Sequence, residues 1–238
     1  MRALVYSAAV VLFAAGLAAA PAPVARAELA GKVIVLDAGH GASANAPLTS
    51  QVPNGRGGTK DCQTTGTSTN DGFGEHTFTW DVTTLIRAQL EQLGATTVMT
   101  RNDDTGPAPC VDARAALANA QHPAAIISIH GDGGPPSGHG FHVNFSSPPV
   151  FDEQADLRLA QTMRDALAAS GLTPSTYIGS DGLYGRADLA GLNLAQYPAV
   201  LIELGNMRNA DDAARMASPQ GQAAYAAAVV AGLATYIS

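Results

Sequence analysis

The stretch Gly31-Lys32-Val33-Ile34-Val35-Leu36-Asp37-Ala38-Gly39-His40-Gly41 decides the fold. Its β-branched apolar run is too short for a helix and unbroken by polar residues, so it reads as a buried strand that ends near Asp37. Glycines then bracket a histidine. Working outward, residues 95–100, 124–129, 140–145 and 197–203 read as further strands, and the one at 124–129 is ended by His130 and a glycine cluster. Between them lie helical patterns. Residues 75–93 place Phe78, Val82, Leu85, Ile86 and Leu93 near helical spacing before Gly94, and residues 111–120 form a second helix. Residues 153–170 are amphipathic and closed by Gly171, while Ser218-Pro219 opens a last helix running to 236. This alternation predicts an α/β fold: a mostly parallel twisted sheet flanked by helices on both faces, in a single domain. Residues 42–74 carry no apolar period and are rich in Gly, Ser, Thr, Asn and Pro. They read as a long loop, a lid or binding rim, with disorder as the competing reading.

Composition bounds what such a domain can do. In 238 residues, 20 Asp and Glu face 13 Lys and Arg for a net charge of −7, with 46% hydrophobic and 14% charged residues, which suits a compact globule. An acidic chain with no Lys/Arg-rich block lacks the positive field that phosphate backbones require, so no nucleic-acid partner is expected. Residues 3–20 are nearly all apolar behind Arg2, and Ala25-Arg26-Ala27 forms a small-x-small cleavage site. That predicts a signal peptide at 1–27 and a mature domain at 28–238, exported to the periplasm, cell wall or extracellular space. The alternative is an uncleaved anchor, because such a run can just span a bilayer. No second apolar span follows, so after cleavage no stable membrane span is expected, and a monomer is expected. Cys62 and Cys110 are the two cysteines of a chain bound for an oxidising compartment, so a disulfide is expected, worth about 4 kcal/mol in the loop-entropy model.

In parallel sheets ligands bind outside the carboxyl ends of the strands, and His40, His130 and Glu203 all fall there. A lone histidine at a strand end is more often structural than ligating, but two at matching ends are not so easily dismissed. Glu75 opens a helix, where a carboxylate also complements the helix dipole. Together His40, Glu75 and His130 make two imidazoles and one carboxylate, the set that holds one catalytic Zn²⁺ per chain while leaving a fourth position for water. Glu203 closes an apolar strand, a poor place for an unpaired acid, so it should touch a cation, a metal or water, with helix capping or an arginine partner as the plainer reading. His76 points about 100° around the helix from Glu75, which favours Glu75 as the ligand. His122 reads as surface loop. His139 and His142 read as rim residues exposed to solvent, with substrate contact as the second option. Asp37 and Asp132 are candidate partners for the imidazole N–H groups.

These residues carry a resemblance. Val35 to Gly41, Glu75 at a helix start, Thr100-Arg101, Arg114 to Asn119, Ser128-Ile129-His130 and Pro198 to Gly205 together resemble the zinc-dependent N-acetylmuramoyl-L-alanine amidases of the Amidase_3 type, in order over about 31–238. The resemblance implies a single catalytic domain without a wall-binding module, with His40, Glu75 and His130 as metal ligands and Glu203 as catalytic acid/base. It also implies that the substrate is peptidoglycan or muropeptide fragments, cut between N-acetylmuramic acid and L-alanine. Residues 182–190 resemble the segment beside the family's substrate groove. Two positions depart from the usual pattern: Gly131-Asp132 stands where Ala-Asn or Ala-Asp is common, and Gly205-Asn206-Met207 where Gly-Phe is common. The competing functions are a secreted wall-binding protein without catalysis and a zinc carboxypeptidase acting on the stem peptide.

Overall fold

The computed structural model describes residues 28–42 and 48–238; the signal peptide expected at 1–27 and part of the long loop, 43–47, lie outside the described residues. In chain order the elements are β1 (Val33–Ala38), β2 (Gln51–Pro53), β3 (Thr59–Asp61), α1 (Glu75–Gln92), β4 (Thr96–Met99), α2 (Val111–Asn119) and β5 (Ala125–Asp132). There follow β6 (His142–Ser146), α3 (Glu153–Ala169), β7 (Leu183–Arg186), α4 (Ala190–Asn193), β8 (Ala199–Asn206), α5 (Ala210–Met216) and α6 (Pro219–Ile237). Six strands form one sheet in the order β4-β1-β5-β8-β6-β7. The first four are mutually parallel, and β6 lies antiparallel to β8 with β7 parallel to β6. The expected fold class therefore holds, with a reversed edge pair that the strand pattern alone does not reveal. The reversal has a covalent cause. A parallel return from β5 would need a helical crossover, and the connection 133–141 is too short and too rich in Gly and Pro to form one.

Side-chain alternation sorts the central strands onto two faces. Ile34 and Leu36, Ile127 and Ile129, and Val200 and Ile202 face α1, α3 and α6 and form the main core with Phe78, Ile86, Leu159, Met163, Val229 and Leu233. Val35, Ile126 and Ala199 face the other way, into a smaller cluster with Ala118 and Leu192. Among the described residues that face packs against α2, the short α4 and the segment around it. Each fully buried Leu, Ile or Val on the main face contributes roughly 1.5–3 kcal/mol by desolvation, so stability is concentrated there. The thin face is free to carry polar groups.

The helix ends follow their sequence signals. Asp152 caps α3 by accepting from the Gln154 and Ala155 N–H groups at 3.0 Å, and Ser218 caps α6 by accepting from Gly221 N–H at 3.0 Å. Helix α1 has no side-chain cap; its first N–H, on Glu75, donates to the Thr67 carbonyl at 2.9 Å. The long loop thus supplies the cap that the sequence around Gly74 does not. Within that loop β2 and β3 form a small antiparallel ladder, a correction to the reading of 42–74 as structureless. Its apolar period is absent because one short hairpin buries little. Cys62 is bonded to Cys110 at the start of α2, as expected.

Candidate metal centre

Alternation also assembles the site. Glu203 is the register partner of His130 on one side and of His142 on the other, so the three side chains share the thin face at the carboxyl end of the sheet. Gly39, one residue beyond β1, completes this row. A Cβ there would stand 2.4 Å from His130 Cε1, so the imidazole lies where only glycine leaves room. His40 follows with φ of 61°, a left-handed conformation uncommon outside glycine. Arg114 secures it by donating to the Ala38 and His40 carbonyls at 2.8 and 2.7 Å.

Glu75 is 4% exposed and reaches the same point from the start of α1. Its Oε1 lies 3.0 Å from His40 Nε2, 3.0 Å from His130 Nδ1, and accepts from the Gly131 N–H at 3.1 Å. Its Oε2 accepts from the Thr67 N–H at 2.8 Å. The ligating atoms of His40, Glu75 and His130 lie within 4.8 Å of one another. The structure thus brings together all three residues that the sequence reading nominated.

The chemistry of the cluster asks for a cation. His40 Nδ1 donates to the Thr64 carbonyl at 2.9 Å, which in the neutral ring leaves Nε2 as a bare lone pair. That lone pair faces a carboxylate oxygen at 3.0 Å, and two acceptors so close repel unless a proton or a metal ion stands between them. Burial pushes the His40 imidazole toward neutrality, but the hydrogen bond and charge of Glu75 outweigh it and raise its pKa above the ordinary value. Burial likewise pushes Glu75 up, and His130 and His40 more than offset it, holding the carboxyl well below the usual range. Two imidazoles and one carboxylate, with each oxygen of the carboxylate already oriented by a backbone N–H, fit Zn²⁺.

Glu203 is half-buried, yet its Oε2 is shut off from solvent and has no hydrogen-bond partner. Burial first, and then the negative charges of Glu75 and Asp132, raise its pKa well above the ordinary value against the opposing pull of Arg186. An acid placed there takes up and releases a proton more readily near neutral pH than a solvated glutamate does. From this point a cavity of about 380 Å³ runs along the thin face, walled by Val111, Ala115 and Ala118 of α2, Ile126 and Leu201 of the sheet, and Leu192 of α4. Lys60 and Arg186 stand on its lining as cations.

Several sequence expectations are corrected here. Asp37 does not hold an imidazole: it accepts from Arg114 at 2.8 Å, Ser128 at 2.6 Å and Thr100 at 2.5 Å, and forms the anionic floor that fixes Arg114. Asp132 accepts from the Tyr177 hydroxyl at 2.7 Å, because a register shift between His130 and Asp132 breaks the alternation that would have aligned them. The partner of the His40 N–H is the Thr64 carbonyl, a backbone group in the long loop with no side-chain signature. His142 is not an exposed rim residue but 2% exposed beneath Tyr177 and Tyr184. His76, in line with the reading that favoured Glu75, turns away from the centre to Asp104, 2.8 Å from its Nδ1. The two departures at 131 and 207 are one packing event. A Cβ on Gly131 would meet Met207 and Met216, at 3.2 and 2.5 Å.

Comparison with known proteins agrees with this geometry. The N-acetylmuramoyl-L-alanine amidase family Amidase_3 matches residues 34–235. The chain is 54% identical over 214 residues to the N-acetylmuramoyl-L-alanine amidase Rv3717 of Mycobacterium tuberculosis, covering 89% of each. Among solved structures it is similar to the apo form of the N-acetylmuramyl-L-alanine amidase Ami1 of Mycobacterium abscessus, with a TM-score of 0.87 and 58% identity over 88% of this chain and 100% of that one. Ami1 of Mycobacterium smegmatis gives a TM-score of 0.86 at 54% identity, over 88% and 98% of the two chains. The chain belongs to the Amidase_3 family and is a hydrolase of the N-acetylmuramoyl-L-alanine type.

Proposed function

We propose that this amidase is zinc-dependent, acts outside the cytoplasm, and cleaves the bond between N-acetylmuramic acid and L-alanine in peptidoglycan or its fragments. The observation that carries the reading is the unpartnered Glu203 Oε2 beside the His40, Glu75 and His130 cluster. His40 Nε2, a Glu75 oxygen and His130 Nδ1 would hold the ion. When bound, Zn²⁺ supplies a Lewis acid that acidifies water and polarises an amide carbonyl. Glu203, raised in pKa yet ionisable, accepts the proton of the attacking water and returns it to the leaving amine nitrogen. Burial raises its pKa, and Arg186 opposes that and keeps the carboxylate form accessible. Arg114 and Asp37 hold the His40 backbone in place through the reaction.

The 48–74 segment serves as a fixed rim: it contributes the Thr64 carbonyl to His40 and the Thr67 N–H to Glu75, and is bonded to α2 through Cys62. Export accounts for that disulfide, which persists in oxidising compartments, and the apolar run at 3–20 would be the signal. Among the described residues no helix is long and apolar enough to cross a membrane. The ligating residues come from one chain, which suits a monomer.

The test is Glu203→Gln. The variant should bind Zn²⁺ as the parent does and lose about 10²–10⁴ in turnover on a defined muropeptide, followed by product mass. Undiminished turnover removes Glu203 from the mechanism. Products cut within the stem peptide overturn the bond assignment. An intact N-terminus on exported protein overturns cleavage after Ala27.

A further inference from the structure

The row Gly39, His130, Glu203, His142 contains one side chain with no part in the chemistry described so far. His142 sits directly opposite Glu203 in the antiparallel pair β6–β8, and cross-strand partners on one face have Cβ atoms about 5 Å apart. His142 is 2% exposed and its Nδ1 is buried without a hydrogen-bond partner. Glu203 Oε2 is buried without one as well. Orphaned buried polar atoms are rare, and here two of complementary type lie on neighbouring side chains. A single hydrogen bond satisfies both.

We propose that His142 is the positioning residue for Glu203, donating its Nδ1–H to Oε2 when the carboxyl ionises and so directing Oε1 toward the reacting water. The proposal rests on the reading of Glu203 as acid/base. The imidazole can do this because its surroundings confine it. The ring of Tyr177 meets it edge-on at 6.4 Å and that of Tyr184 at 6.1 Å. Tyr177 is anchored by its hydroxyl on Asp132, and Tyr184 lies under the Arg186 guanidinium at 5.0 Å. The charged and titratable groups around His142 are therefore Glu203 of β8, Asp132 of β5, Tyr184 and Arg186 of β7, and Tyr177. Burial pushes the His142 pKa down to about 4, with Asp132 opposing and Arg186 assisting, so the ring is neutral at working pH and keeps one N–H to give. A neutral donor orients a carboxylate without fixing its proton as a cation would. The competing acceptor is Asn144, two residues along the same face, whose Oδ1 is also unpartnered.

The experiment compares His142→Asn, His142→Gln and His142→Leu with Glu203→Gln, in zinc-loaded full-length protein on a defined muropeptide. The Asn amide nitrogen occupies the place of Nδ1, and the Gln nitrogen that of Nε2. His142→Leu should lower kcat about ten- to a hundredfold with KM and metal content unchanged, His142→Asn should restore most of it, and His142→Gln should not. In metal-free protein, Glu203→Gln should shift the ¹⁵N resonance of His142 Nδ1. Equal kcat losses in all three His142 variants, or an Nδ1 resonance indifferent to Glu203 but moved by Asn144→Leu, overturn the proposal while leaving Glu203 in its role. Full activity in Glu203→Gln overturns the acid/base reading, and this proposal with it.

Discussion

Replacing Gly39 by alanine adds one methyl group at the point where β1 passes under the His130 ring. That methyl would stand 2.4, 2.6 and 2.7 Å from Cε1, Nε2 and Nδ1 of His130, whereas an ordinary contact is 3.4 Å or more. The ring must therefore retreat by about 1 Å, against a coordination tolerance of about 0.2 Å. It has nowhere to go without cost. Glu75 Oε1 lies 3.0 Å from Nδ1, and the His40 ring meets it edge-on at 4.8 Å. Gly39 has no left-handed φ, so the backbone itself accepts alanine and the effect isolates the ring contact. Loss of an oriented ligand should weaken Zn²⁺ binding at least about 100-fold, since disturbing even a ligand's supporting hydrogen bond costs 10- to 100-fold. Overpacking should lower stability by about 1–3 kcal/mol. Gly191→Ala is the control: a Cβ there meets nothing within 4 Å. Competition titration against a chromophoric chelator reads the affinity, and thermal unfolding with and without metal reads the stability. Wild-type affinity in Gly39→Ala would refute the assignment of His130 as a ligand held against this glycine.

The remaining predictions concern protons and the covalent tie. Because Glu75 raises the His40 pKa in metal-free protein, metal binding below that raised value must displace one proton from His40, so log apparent affinity should climb by about one per pH unit there and flatten above it. The same linkage makes the His40–Glu75 contribution to metal-free stability fully present between about pH 4.5 and 6.5, lost as pH rises through the raised His40 pKa and lost again as pH falls toward the lowered Glu75 pKa. Calorimetry in buffers of different ionisation heat measures the proton, and its absence at pH 6 refutes the pairing. Reducing the Cys62–Cys110 bond, which closes 48 positions, should remove about 4 kcal/mol and lower Tm by roughly 10 °C. An unchanged Tm would mean that the unfolded chain is already restricted. Asp156, 4% exposed, is raised to about 6, first by burial and then by Asp152, against the Ala199 N–H that it accepts. A raised acid binds more protons folded than unfolded, so stability should fall as pH rises from about 4 to 6. Asp156→Asn, which keeps the acceptor, should abolish that slope and gain about 1–2 kcal/mol at pH 7.

Much of this was legible because the informative residues interrupt strong patterns. His40, His130 and Glu203 each follow an apolar strand, and in a parallel sheet strand ends converge, so their convergence could be anticipated without any contact being known. Glu75 was legible only as a helix-start acid, and its nomination as a ligand needed the other two. What escaped the sequence had no local pattern to show. The reversal of β6 depends on the length of the 133–141 connection, and α4 and β7 are too short to display a period. The β2–β3 ladder is short for the same reason, and its value lies in where it ends: Cys62, Thr64 and Thr67 follow and tie the loop to α2, His40 and Glu75.

The misplacement of His142 has a different cause. Read alone, a histidine between glycine-rich loop and strand looks like rim. The alternation that exposes one face of an edge strand would support that if β6 were an edge, but β7 covers it and Tyr177 closes over the top. Burial was therefore decided by two elements remote in sequence, and with it the character of the residue, since a buried neutral imidazole is a donor with one proton where an exposed one is a titrating surface group. The same reasoning separates Asp37 from Asp132. Both precede or follow a candidate ligand histidine at similar spacing, yet Asp37 lies under Arg114, Ser128 and Thr100 while Asp132, beyond the register shift in β5, accepts from the Tyr177 hydroxyl. Sequence proximity to a ligand thus says which strand end a carboxylate occupies, and the pairing of that strand with its neighbours decides what the carboxylate holds.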